Sequence, residues 1–258
     1  MKKLALTSLL AMFAFSGAHA ANIIDGNPLY MPKAGHFYSE TTVASHSEHS
    51  DTWVLGEEFG YGITDRLAIE AGTALAEKDT FDHSQWGPFA LGLTYRVLDE
   101  GAWKADVYGG YEINPVWGDH ASFLDKDLTA YTWTAGVRGG YVAGDWTIAG
   151  HFAFEYTNTE SFNWGDELLV PQHALLVGLD AQYVIDENWN LVAGVEYKGY
   201  TDDEAHDAGI WDGRFGVNYN INPSAYVGGY VDATLRHATG DWEFDDGFGF
   251  GVKFGDDF

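Results

Sequence analysis

Ten acids and eight bases share one parity of an alternating pattern: Glu40, Glu58, Arg66, Glu70, Arg96, Lys104, Asp106, Glu112, Arg138, Glu155, Asp180, Glu196, Lys198, Asp212, Arg214, Asp232, Arg236 and Lys253. A period of two sends successive side chains to opposite faces of a sheet, so this set occupies one face. Opposed charges on such a face can close on one another as salt bridges, provided their remaining hydrogen bonds are also met. Around a cavity they can instead orient a polar solute between acidic and basic sides. Eight of the eleven basic residues beyond position 20 lie in this set. A face bathed in water gives no reason for that concentration, whereas an enclosed one does, because the bases offset carboxylates that would repel one another. Gly72, Gly92, Gly110, Gly136, Gly140, Gly178, Gly194, Gly216, Gly228, Gly249 and Gly251 have the same parity and leave room between the charges. His151 and Tyr108 also fall there and read as lining.

Histidines offer a second chemistry. His46, His49, His83, His120, His206 and His237 stand in acidic stretches between the alternating segments. His46-Ser47-Glu48-His49 and Glu204-Ala205-His206-Asp207 carry ligand types suited to a divalent cation, which makes His46, His49 and His206 the candidate metal ligands. Their spacing matches no zinc or calcium motif. A solvated, self-repelling surface crown is the plainer reading of these stretches. Ser45-His46-Ser47 and His83-Ser84 set hydroxyls beside imidazoles, and Asp82-His83, Asp119-His120 and His206-Asp207 set carboxylates beside them. A nucleophilic site needs three groups converging in space, and no signature supports one here. The chain is therefore read as non-enzymatic, with no catalytic residue and no cofactor.

The elements that must position these side chains are twelve alternating segments, at 34–44, 52–62, 66–76, 86–97, 103–113, 129–141, 146–157, 172–185, 189–200, 208–219, 225–236 and 247–258. Most have the length of a tilted membrane-crossing strand plus its rim. Thr64-Asp65, Asp99-Glu100-Gly101-Ala102, Gly144-Asp145, Asp186-Glu187-Asn188 and Ile221-Asn222-Pro223-Ser224 are short connections with turn chemistry. They alternate with longer ones at 45–51, 77–85, 114–128, 158–171, 201–207 and 237–246. Trp103, Trp146 and Trp189 each follow a short turn, as an interfacial girdle requires; Trp53, Trp86, Trp211 and Trp242 lie near the long connections.

Composition narrows the class. There is no cysteine, hence no disulfide framework. The formal net charge of -26 excludes nucleic acid as a partner, since that needs a basic footprint. Lys2 and Lys3, the apolar run Leu4 to Phe15 and Ala18-His19-Ala20 read as a signal peptide over residues 1–20, cleaved after Ala20. Residues 21–33, with Pro28 and Pro32, read as a periplasmic lead-in, and 34–258 as one barrel domain. No later apolar run spans a bilayer as a helix, and open sheet edges cannot lie in hydrocarbon, so a membrane location requires a closed barrel.

The chain ends on Phe248-Gly249-Phe250-Gly251-Val252-Lys253-Phe254-Gly255-Asp256-Asp257-Phe258, with Phe248, Phe250, Val252, Phe254 and Phe258 as its apolar set. This ending resembles the terminal strand of Gram-negative outer-membrane β-barrels, departing from their pattern at Asp256. Gly60-Tyr61-Gly62-Ile63-Thr64-Asp65-Arg66-Leu67 and Leu91-Gly92-Leu93-Thr94-Tyr95-Arg96 are similar to phrases of small outer-membrane transport barrels. The resemblance implies an all-β, transmembrane antiparallel up-and-down barrel of about 12 strands in the outer membrane. Its surroundings would be outer-membrane lipids and lipopolysaccharide, and the barrel-assembly machinery would read Phe258 as an assembly signal. The expected function is a small passive porin-like channel for polar or cationic solutes. A non-conducting structural or surface-interaction barrel with a salt-bridged interior comes second, and a metal-binding or lipid-modifying barrel, taking divalent cations in its loops, third. Oligosaccharide channels of twelve strands imply a strongly basic lumen for acidic sugars, and the acidic surplus here argues against that ligand.

Overall fold

The computed structural model describes residues 27–47, 49–78, 83–115, 129–159, 173–201, 209–237, 243–244 and 247–258. Its strands are β1 (Phe37–His46), β2 (His49–Thr64), β3 (Leu67–Lys78), β4 (His83–Glu100), β5 (Trp103–Pro115), β6 (Thr129–Ala143), β7 (Trp146–Thr159), β8 (His173–Val184), β9 (Trp189–Tyr200), β10 (Gly209–Asn222), β11 (Ala225–His237), the two-residue β12 (Glu243–Phe244) and β13 (Gly249–Asp257). The long strands pair antiparallel, each with its sequence neighbour, and β13 bridges β11 and β1. The result is a closed twelve-strand up-and-down barrel, with β12 a short addition beside β11. Closure is reciprocal at the last residue: Phe37 and Phe258 each donate a backbone N–H to the other's carbonyl at 2.8 Å, and their rings stack at 6.2 Å.

Alternation decides which side each residue takes. The outer side carries Leu55, Phe59, Ile69, Leu91, Leu93, Val107, Val137, Phe152, Val177, Leu179, Val195, Phe215, Val231 and Val252, all exposed. Such an apolar surface suits hydrocarbon and not water. At the end of the short turns Trp103, Trp146 and Trp189 lie against Tyr141, Tyr183 and Tyr219, their cross-strand partners, with ring centroids 4.7, 4.7 and 4.9 Å apart. Amphipathic rings prefer the water–lipid boundary, so these pairs mark one rim of the apolar band. Trp133 on Tyr111 and Trp211 on Tyr197 mark the opposite rim, with Trp53 and Trp86 also exposed. Trp242 lies outside the described residues.

The strands run further than sequence alternation indicated. β1 and β2 continue through most of the connection expected at 45–51, so that His46 faces His49 after an irregularity at Ser45/His46. Likewise β3 and β4 extend into 77–85. Backbone pairing needs no apolar alternation, so it persists after the side-chain pattern has ended. Bulges at Gly62/Thr64, Thr73/Leu75, Arg96/Leu98 and Asn220/Asn222 insert single residues without opening the wall. The one at Arg96/Leu98 sets Asp99 opposite Lys104. One lipid-side departure is polar. Glu57 faces Thr41 on one neighbour and Thr73 on the other, and the Thr41 hydroxyl donates to its carboxylate at 2.6 Å.

Candidate functional site

Near the β4–β5 and β6–β7 turns, three adjacent strands bring together Arg96, Asp106 and Arg138. Asp106, 1% exposed, accepts from Arg96 Nε at 2.8 Å and Nη2 at 3.2 Å, and from Arg138 Nε at 2.9 Å and Nη2 at 2.5 Å. One carboxylate thus satisfies two planar guanidinium groups, a geometry that lysine could not supply. The arginines also hold the segment before β1. Arg96 Nη2 donates to the Leu29 carbonyl at 2.7 Å and Arg138 Nη2 to the Tyr30 carbonyl at 3.4 Å.

That segment is the described part, residues 27–33, of the lead-in read at 21–33, and it folds into the barrel mouth as a strap. Asn27 and Pro28 start a turn, with Tyr30 N–H donating to the Asn27 carbonyl at 3.0 Å and Leu29 N–H to Asn27 Oδ1 at 2.9 Å. Leu29 (2% exposed) and Pro32 are buried. Leu29 Cδ1 is close enough to Gly140 that a Cβ there would lie 2.9 Å from it. Tyr30 meets Tyr38 edge-on at 5.9 Å, and its hydroxyl donates to Asp257 at 2.9 Å. The strap leaves through Ala34 and Gly35, which bridge to β2 at Gly62. No side chain fits at Gly62, because a Cβ would overlap the Lys33 carbonyl.

A second group of charges lies on β1–β3 and β13. Tyr38 donates to Glu58 at 3.1 Å, Tyr226 donates to Glu40, and Lys253 approaches Glu40 at 3.4 Å. Glu70 is 6% exposed and its Oε1 has no hydrogen-bond partner. Across β7–β9, His151 is bracketed by Asp180 at 3.3 Å and Glu196 at 2.9 Å, and Lys198 pairs with Glu155. With both ring nitrogens engaged, His151 serves as a strut between strands. Thr234 donates to Asp212 at 2.6 Å, and Arg214 lies over the Tyr230 ring at 4.7 Å, with Asp232 opposite it on β11. Lys104 pairs with Asp99 at 2.5 Å near the rim. Glu112 and Arg236 are half-buried nearer the other end, opposite Thr132 and Ile210.

Arg66 is exposed in the β2–β3 turn, its carbonyl accepting from the Arg96 N–H at 2.8 Å. Glycines seat many of these side chains: a Cβ at Gly60 would strike Tyr38, at Gly136 Tyr108, at Gly178 His151, at Gly255 Tyr226 and at Gly251 Tyr230. Sequence reasoning singled out the segment with Pro28 and Pro32 as a lead-in but missed its contacts, among them Tyr30 to Asp257.

Of the candidate metal ligands, His46 is buried at the end of β1, His49 is its backbone partner, and His206 lies outside the described residues. Among the described residues, no group of three ligating side chains could hold a metal ion. Most of the acidic connections, including His120, are likewise outside them.

No family model matches the chain, and no curated relative matches it by sequence. Solved structures do resemble it. The structure described as the KdgM porin has a TM-score of 0.58 at 9% identity, covering 86% of this chain and 99% of its own. KdgM in complex with disordered oligogalacturonate gives 0.57 at 8%, covering 86% and 99%. The NanC porin gives 0.58 at 10%, covering 85% and 97%. At these identities the likeness is one of fold: a closed antiparallel β-barrel shared with the solved KdgM and NanC structures.

Proposed function

We propose that the protein is an outer-membrane channel for small polar solutes, with a preference for cations. One observation carries the reading: a closed wall with apolar residues outside and charged groups distributed along its inside. The outside fits a bilayer, and the inside makes sense only against water or other polar groups. The signal-like residues 1–20 and the likeness to porins point the same way. KdgM was solved with an acidic oligosaccharide, but the inner side here is rich in carboxylates and opposes an anionic ligand.

The test is conductance of the refolded protein in a planar bilayer, followed by its reversal potential in a salt gradient. Stable conductance with cation preference is expected, and anion preference would remove the solute assignment. A specific observation favours the second reading, a structural barrel without a pathway. The Arg96–Asp106–Arg138 group lies buried at one mouth, together with Leu29 and Pro32 of the strap. Silence across lipids and voltages would select it.

A further inference from the structure

We propose that residues 27–33 are a gate, latched across one mouth of the barrel by Arg96 and Arg138. The proposal rests on the channel reading and adds the element that opens the pathway. Three observations carry it.

The strap holds its own shape: the Asn27 side chain and carbonyl close a turn without any barrel residue. Residues 27–30 therefore move together. Its latch is polar and separable. Arg96 and Arg138 each give one nitrogen, Nη2, to a strap carbonyl, and the same two side chains remain paired to Asp106 when that bond breaks. Tyr30 adds a hydroxyl contact to Asp257 at the rim and an edge-on ring contact to Tyr38. Releasing the strap leaves no charge without its counter-ion, and its cost is the polar contacts together with the burial of Leu29 and Pro32.

The strap also has a pivot. Gly35 has φ +83° with open space around it, a conformation other residues adopt with difficulty. The adjoining backbone stays fixed to β2 by Gly35 N–H to the Gly62 carbonyl at 2.7 Å and Gly62 N–H to the His36 carbonyl at 3.0 Å. Motion about this point swings Leu29 and Pro32 out of the mouth while the strand pairing of the wall is kept. It breaks two further contacts at the strap's end, His36 N–H to the Lys33 carbonyl at 3.0 Å and Ala34 N–H to Asp65 Oδ1 at 3.2 Å.

The chain contains no cysteine, so introduced thiols are unique. In a Tyr30→Cys, Asp257→Cys variant, a bis-methanethiosulfonate linker ties the strap to β13, and dithiothreitol frees it in the same folded molecule. In single-channel recordings the linked form should hold one low level, and reduction should restore transitions to a level several-fold higher. Deletion of residues 27–33, with folding checked by heat-modifiable electrophoretic mobility, should hold the higher level throughout. If linked and reduced channels conduct identically, the gate is overturned and the channel reading stands. If the folded deletion variant never conducts, the channel reading fails and the gate falls with it.

Discussion

Asp106 accepts from two guanidinium groups in a space closed to water, so its charge cannot be removed without leaving both cations uncompensated. Asp106→Asn should lower stability by about 3–5 kcal/mol, the usual penalty for breaking a buried ion pair from one side. Urea unfolding in detergent micelles, followed by tryptophan fluorescence, measures it. Arg96→Met in the Asp106→Asn background should recover part of the loss, because one unpaired cation is then gone. Glu57 presents the opposite case. Its carboxylate faces the lipid side between two threonines, four residues from both Trp53 and Tyr61. Glu57→Leu should raise stability by about 1 kcal/mol in lipid vesicles, since charge on the lipid face is costly near the midplane. No gain, or a loss, would mean that the group is covered in the membrane.

Elements were far more legible than contacts. Alternation and turn chemistry located the twelve long strands, because a half-lipid, half-polar wall imposes its period on every strand. The strap's seat was illegible for the same reason: the segment is neither strand nor helix, and aperiodic residues around two prolines read only as a lead-in. Nor does parity say at what height a charge sits, so the meeting of Arg96, Asp106 and Arg138, or of His151 with Asp180 and Glu196, came only with register. The strap's seat can be tested at Gly62. In Gly62→Ala the new methyl group collides with the Lys33 carbonyl and lifts the strap, while β2 keeps its pairing. Trypsin should then cut after Lys33 several-fold faster than in the unmodified protein, with the far-ultraviolet β signal unchanged. Equal cutting rates would show that the strap does not depend on this close approach.

At the scale of the molecule, the last residue takes part in closure, beyond the β1–β13 pairing from Tyr38–Asp257 to His46–Gly249. Deleting Phe258 removes both reciprocal backbone bonds to Phe37 and one of the stacked rings. The expected result is a smaller fraction of heat-modifiable, folded barrel on refolding, read by electrophoresis without boiling; an unchanged fraction would assign closure to the inner part of β13 alone. Inside the wall, the glycines opposite Tyr38, Tyr108, Tyr226, Tyr230 and His151 have a collective effect. Each lets a ring lie down along the strand beside it, like nap brushed flat against cloth. Alanine at these points would make the rings stand up toward the axis. The bore of the cylinder is therefore set by the side chains that are missing from its inner surface, and it should narrow with each methyl group restored.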